Sequence, residues 1–219
     1  MDWSALKLSL YLALATSLIL LPFGALLARL LAWSDFKGKW LAEAALALPL
    51  VLPPTVLGYY LLVALGTGSP LGAFYEKLSG HPLAFSFEGL VLASVLVNIP
   101  FALIPMQRAF EAIPLEVHQA AKVCGMPPVQ AFFKVELPLA WSGVLSGFMM
   151  TAAHTIGEFG VVLMVGGSIP GETKTVAIAI YDRVQAFDMQ AAGWMSATLL
   201  ALSLVALAFT TRLGRRTVR

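Results

Sequence analysis

Two ionisable side chains, His154 and Glu158, lie one helical turn apart within an otherwise apolar stretch of the sequence. Residues four positions apart share one face of a helix, so we expect the imidazole and the carboxylate to be neighbours. Where such a stretch crosses a bilayer, ionisable groups usually face the bundle interior or a watered path. The sequence leaves two interpretations of the pair open: a place on a transport pathway or its gate, or a structural hydrogen bond.

No arrangement in the sequence is typical of an enzyme or a metal site. The three histidines and the single cysteine are scattered without the spacing of metal ligands. A GxxxxGK[ST] phosphate-binding loop is also lacking, because the one Gly-Lys pair, Gly38-Lys39, is followed by tryptophan. An intramembrane enzyme built on His154 and Glu158 would lack further ligands. We therefore expect no catalytic residue, no metal and no cofactor on this chain.

The segment 110–140 carries a second informative pattern. A short helix is predicted over 115–123, with Gly125 placed to end it in the left-handed conformation that glycine adopts cheaply. A second short helix is expected over 129–135, and Leu137-Pro138 is expected to break it because proline lacks a backbone donor. The two helices would form either an ordinary amphipathic connector or a compact knob that another protein contacts.

The spacing within this segment resembles the EAA loop of ABC importer permeases. That family pattern is Glu-Ala-Ala, three residues, Gly, nine residues, then Ile, any residue and Leu-Pro. The matching residues are Gln119, Ala120, Ala121, Gly125, Val135, Leu137 and Pro138. Gln119 replaces the family's Glu, so a salt bridge made by that Glu is not carried over. The resemblance implies a coupling helix that sits in a groove of a separate ATPase subunit.

The composition indicates an integral membrane protein. Of the 219 residues, 59% are hydrophobic and 12% are charged, whereas soluble domains contain about 25% charged residues. The formal net charge of +2 is too small to suggest a nucleic-acid partner. The high hydrophobic fraction and the low charged fraction exclude a soluble enzyme and a disordered chain. The single cysteine excludes a scaffold held together by disulfides.

Five apolar stretches are long enough to cross a bilayer, which takes about 20 residues. They are 8–31, 41–65, 89–109, 141–165 and 191–210. The long segment 110–140 joins the third and fourth. We find no internal repeat or linker, so we predict one all-α transmembrane domain over 1–219 with its core at about 8–210.

The distribution of basic residues predicts the orientation. With the N-terminus outside, ten Lys and Arg residues lie on the cytoplasmic side and four on the outer side. Loops on the cytoplasmic side carry the excess of positive charge in membrane proteins. The sequence therefore predicts an outer N-terminus, a cytoplasmic C-terminus and two outer loops, near 66–88 and 166–190.

Two prolines, Pro53 and Pro54, interrupt the second apolar stretch. Each proline removes a backbone donor, so we expect a kink or an unwound turn at this point. The bend is a candidate for shaping a pathway, although helix packing alone would also explain it.

The second outer loop is rich in turn residues. Gly167, Pro170, Gly171 and Thr173 are candidates for docking a partner protein, and a plain connector is the alternative. Together with Gly-Glu-Phe-Gly at 157–160, this loop resembles the tetrahedral-oxyanion branch of the importer permeases. The segment 48–72 is similar to the molybdate permeases in particular.

The resemblance covers about 8–210 and implies the type I ABC importer permease fold. It implies a non-catalytic transmembrane subunit that imports molybdate and tungstate across the cytoplasmic membrane. A second copy of the chain, two ATPase subunits that bind ATP and Mg²⁺, and a periplasmic or lipid-anchored binding protein would be its partners. A sulfate or thiosulfate permease is the nearest alternative, and a proton-coupled carrier using His154 and Glu158 is the alternative of a different class.

Overall fold

The computed structural model describes the backbone of residues 2–217 and, within that range, the side chains of residues 2–117 and 119–205. All regular structure in this part of the chain is helical. The α-helices are α1 (Trp3–Trp33), α2 (Lys39–Ala47), α3 (Pro54–Leu65), α4 (Pro70–Ser79), α5 (Phe87–Glu111), α6 (Leu115–Val123), α7 (Pro128–Ala131), α8 (Leu137–Leu139), α9 (Trp141–Gly157), α10 (Gly160–Gly166), α11 (Val176–Gln185) and α12 (Met189–Thr217).

Two of the five predicted stretches, the first and the third, form single helices that are long and apolar enough to cross a membrane. These helices are α1 and α5, and each begins at a side-chain cap. The Asp2 carboxylate accepts from the Ala5 N–H, which lowers the pKa of that carboxyl. The Ser86 hydroxyl accepts from the Gly89 N–H in the same way. The helical prediction is confirmed for both stretches.

The second and fourth stretches are helical but broken. The second contains α2, a 3₁₀ turn at Leu48–Leu50 and α3, and its two halves meet at 104°. The break falls at Pro53-Pro54, as predicted. The fourth contains α9 and α10, which meet at 64° because Glu158 adopts an extended backbone between them. Counting each bent pair as one span gives four candidate spans among the described residues.

The fifth stretch lies in α12. Its apolar part among the described side chains is Met189–Val205, which is shorter than a full span. The predicted stretch 191–210 and the basic residues after it extend beyond those side chains. The five-span count and the orientation of the termini therefore remain predictions.

The centre of the molecule is a bundle of α1, α5 and α9, with α3 packed on α10 beside it. Small residues allow the close approach of these helices. A Cβ at Gly147 would lie 2.6 Å from the Ala102 carbonyl oxygen, and a Cβ at Gly143 would overlap the Ala109 side chain. The Gly143/Gly147 pair therefore forms a GxxxG contact between α9 and α5.

Candidate functional site

Short helices occupy residues 115–139 between the third and fourth stretches, a segment called the knob below, and the first of them is α6. The helix ends in a Schellman motif: the Gly125 N–H donates to the Lys122 carbonyl and the Met126 N–H to the Ala121 carbonyl. Gly125 has φ +70°, the left-handed conformation that this motif requires. Both the bounds of α6 and the role of Gly125 in ending it agree with the sequence analysis.

The second half of the knob differs from the expectation. Leu137-Pro138 does not break the helix, because α7 runs through a π-helical turn at Phe132–Glu136 into α8, and the backbone turns only at Ala140. In the π turn, the Leu137 N–H donates to the Phe132 carbonyl, five residues back. This wider turn directly precedes Pro138 and accommodates a ring that would clash in a regular α-helix.

The residues that match the EAA pattern are not equally accessible. Gln119, Ala120, Gly125 and Pro138 are exposed, Val135 and Leu137 are half-buried, and Ala121 is buried. Large apolar side chains on the same knob are exposed as well: Leu115, Val123, Val129 and Phe133. Exposed apolar side chains grouped in this way are typical of a protein–protein contact surface.

A buried ion pair ties the knob to the first span, and the sequence analysis missed it. Glu136, within the π turn, has a side chain that is 1% exposed and accepts from both Nε and Nη2 of Arg29 near the end of α1. The sequence did contain one sign of this pair: Arg29 and Glu136 have opposite charges and lie in segments that are predicted to be on the same side of the membrane. Pairing them requires the packing of α1 against the knob, which sequence spacing does not contain.

The break in the fourth stretch is stabilised by Glu158. Its side chain is buried, and its Oε1 accepts from the Val161 N–H at 2.9 Å, so the carboxylate caps the start of α10. Gly160 follows, and a Cβ there would lie 2.7 Å from the Cβ of Pro54. The structure thus brings together the break of the second stretch and that of the fourth. Pro53 and Pro54 themselves are exposed in the described chain.

His154 lies beside this junction, with a partly exposed side chain. Its Nδ1 is 3.1 Å from the Oδ1 of Asn98 on α5, and its ring stacks on Phe101 with centroids 3.8 Å apart. Its Nε2 is 3.7 Å from Oε2 of Glu158, so the two side chains are neighbours as predicted, although Glu158 lies beyond the end of α9. Asn98 is a partner that the sequence analysis did not assign to His154.

The loop after α10, which is predicted to be an outer loop, is held by Thr173. This side chain is fully buried; its hydroxyl donates to the Gly166 carbonyl at 2.6 Å and accepts from the Ile169 N–H at 3.1 Å. Gly167 and Gly171 both have positive φ. Pro170 and Gly171 are exposed, so within this loop they are available to a partner while Thr173 shapes the turn.

Among the described residues, no group of three His, Cys, Asp or Glu side chains is arranged to hold a metal ion. The predicted coupling residues, the breaks around Glu158 and the outer loop form three separate places in the fold.

Residues 11–219 match the family described as binding-protein-dependent transport system inner membrane component. Among curated proteins, the chain is 44% identical over 209 residues to the molybdenum transport system permease protein ModB of Azotobacter vinelandii, covering 94% of this chain and 91% of that protein. It is 38% identical to ModB of Escherichia coli K12, over 84% of this chain and 80% of that protein. The sulfate transport system permease protein CysT of Salmonella typhimurium is 30% identical, over 98% of this chain and 79% of that protein.

The fold is also similar to solved structures. A crystal structure of a bacterial ABC transporter involved in the import of the acidic polysaccharide alginate contains a chain that matches with a TM-score of 0.78 and 16% identity. The match covers 99% of this chain and 79% of that one. At this identity the likeness concerns the fold, and it confirms the all-α importer permease architecture.

Proposed function

The chain belongs to the family of binding-protein-dependent transport system inner membrane components, and from that premise we propose that it is the transmembrane subunit of an ATP-driven importer of molybdate and tungstate. It is a multi-pass membrane protein and a transport component rather than a catalytic one. The observation that carries the proposal is the exposed knob that begins with α6 and bears the EAA spacing. The first helix of the knob, α6, ends in a glycine cap, and the bundle beside it contains two helices that are long and apolar enough to cross a membrane.

The choice of substrate rests on the relatives. Those named for molybdenum transport are 34–44% identical to this chain, whereas the sulfate permeases are 30–31% identical. The described spans contain no cluster of basic residues deep in the bundle that would bind an oxyanion tightly. A separate binding protein that selects the anion outside the membrane accounts for this feature, because the permease then needs no tight site of its own.

In the proposed assembly, two copies of the chain stand in the cytoplasmic membrane, each with its knob in a groove of an ATPase subunit. ATP and Mg²⁺ bind to those ATPases and not to the permease. ATP binding brings the ATPases and their knobs together and opens the path to the outer side, where a periplasmic or lipid-anchored binding protein releases the anion. Hydrolysis returns the path to its inward-open form.

The test is uptake of radiolabelled molybdate in cells that lack their own permease. The chain is expressed with its ATPase and binding protein, and each of the three is omitted in turn as a control. We expect uptake that requires all three proteins, falls with excess tungstate and is unchanged by excess sulfate. Competition by sulfate would instead assign the chain to sulfate transport by the same mechanism. Uptake that persists without the ATPase would reject the ATP-driven mechanism in favour of a proton-coupled carrier.

A further inference from the structure

The ion pair between Arg29 and Glu136 is the one ionic link, among the described side chains, between the knob and the helical bundle. It is two-pronged, because the guanidinium donates from Nε to one carboxylate oxygen and from Nη2 to the other at 3.2 Å. The Glu136 side chain is 1% exposed and that of Arg29 is 26% exposed. A paired arrangement of this kind fixes the angle as well as the distance between its two partners.

Aromatic rings surround the pair and connect it to a third helix. The guanidinium carbon of Arg29 is 5.6 Å from the centroid of the Phe132 ring, within the range of a cation–π contact. Phe132 stacks in turn on Phe110 at the end of α5, with centroids 6.2 Å apart. The carboxylate therefore belongs to the knob, the guanidinium to α1, and the rings hold both against α5.

We propose that the Arg29–Glu136 pair is the joint through which movement of the knob reaches α1. This inference rests on the proposed function, since it assumes an ATPase that moves the knob. Both residues are positioning residues, because neither contacts the transported anion or the nucleotide.

A connection that transmits movement must resist the separation of its two partners. Apolar contacts at the same junction, such as that between Phe132 and Phe110, are non-directional. Separating the pair, in contrast, would break both hydrogen bonds that the carboxylate, which is 1% exposed, accepts from Arg29, and this is unfavourable. The pair therefore keeps α1 and the π turn together when the knob is displaced.

The first experiment measures the movement itself in the complete complex of permease and ATPase, reconstituted in lipid. Cys124 is the only cysteine of the chain and is exposed at the end of α6 in the isolated permease. With a cysteine-free ATPase, a spin label at Cys124 reports the separation of the two knobs in labelled complexes that retain ATP hydrolysis. A second sample carries Lys7→Cys in a Cys124→Ser background and reports the exposed outer part of α1. In the wild-type complex, we expect ATP with vanadate to change both distances.

The decisive variant replaces both partners, Arg29→Met with Glu136→Met, because exchanging a buried pair for apolar side chains usually preserves folding. We expect the label at Cys124 to move as in the wild type, while the movement at position 7 is lost. Arg29→Lys keeps the charge but loses the two-pronged geometry, and we expect an intermediate result. The control is Arg108→Met with Glu111→Met, which removes an exposed pair on α5 and should change neither distance.

A second readout is the number of molybdate ions imported per ATP hydrolysed. Coupling between sites commonly corresponds to factors of about 5 to 150, so we expect about a tenfold fall for the double methionine variant with ATP hydrolysis retained. A purely structural role would lower the amount of complex, and with it hydrolysis and transport together. Unchanged movement at position 7 in the double variant would overturn the proposal. A failure of molybdate uptake in the wild type would reject the proposed substrate alone, because the distance measurement requires no substrate.

Discussion

Gly160 lies against Pro54 so closely that a Cβ on the glycine would come within 2.7 Å of the proline's Cβ. These residues begin α10 and α3, the second halves of the two broken spans. Backbone that leaves the helical conformation inside a membrane must be satisfied by protein or by a watered cavity. Here the two breaks pack against each other, and the Glu158 carboxylate accepts a hydrogen bond from a backbone N–H in the first turn of α10. We infer that the two halves move together if either bend changes.

The contact predicts an effect of a single methyl group. Gly160→Ala should lower the melting temperature of the complex, since overpacking of a tight contact costs about 1–3 kcal/mol. Gly157→Ala, three residues away, is the matched control because a Cβ there meets no atom within 4 Å. Thermal unfolding of the two purified variants in lipid checks the prediction. Equal melting temperatures would show that α3 and α10 are free to separate at this point.

The carboxylate of Glu158 predicts a graded series. Glu158→Gln retains an oxygen that can accept from the Val161 N–H, so α10 should keep its cap and uptake should fall only a few-fold. Glu158→Ala removes the acceptor and should destabilise the protein by about 1 kcal/mol. Uptake and thermal stability are measured for both variants. Complete loss of uptake in the Gln variant, with its stability unchanged, would instead indicate a proton relay through Glu158.

The cap of the knob gives a third prediction. A β-branched residue is strained at the φ of +70° that Gly125 adopts, so Gly125→Val should reshape the surface offered to the ATPase and abolish ATP-coupled uptake. Gly125→Asn should retain much of the uptake, because asparagine tolerates this conformation. Gly80→Val provides the control for strain alone, since Gly80 ends α4 at φ +79°. An equal loss of uptake in Gly125→Val and Gly80→Val would show that backbone strain in general, and not the shape of the knob, causes the effect.

Local features of the chain were predictable where one residue type fixes the backbone. The bounds of α6, its cap at Gly125 and the break at Pro53-Pro54 follow from glycine and proline chemistry, which acts over a few residues. The same reasoning was wrong at Leu137-Pro138, where the π turn before the proline absorbs the strain. The wide turn depends on how Phe132 packs, and this is a property of the fold.

Contacts between distant segments were not predictable from spacing. Arg29 and Glu136 are separated by 107 positions, and His154 and Asn98 by 56. Each pair forms only because two helices pack at one particular rotation and depth, which a single sequence does not specify. The pathway around His154, and the docking role of Pro170 and Gly171, remain predictions for the same reason.

A second Schellman motif, at the end of α11, has an unusual occupant. The Phe187 N–H donates to the Val184 carbonyl and the Asp188 N–H to the Arg183 carbonyl, which repeats the pattern at Gly125. The residue in the left-handed position is Phe187, with φ +57° and a side chain that is 85% exposed. A bulky residue in this conformation is strained, and the exposed ring gains little from packing.

Replacing this phenylalanine should therefore stabilise the protein. Phe187→Gly removes the backbone strain, and the greater freedom of glycine in the unfolded chain offsets part of that gain, so we expect a net increase of up to about 1 kcal/mol. Phe187→Ala serves as the control, because alanine keeps the strain and loses the ring, and it should not be stabilising. Thermal unfolding of both variants in lipid measures the difference. If the glycine variant is instead less stable than the wild type, the ring makes contacts in the assembled transporter that compensate for its strained backbone.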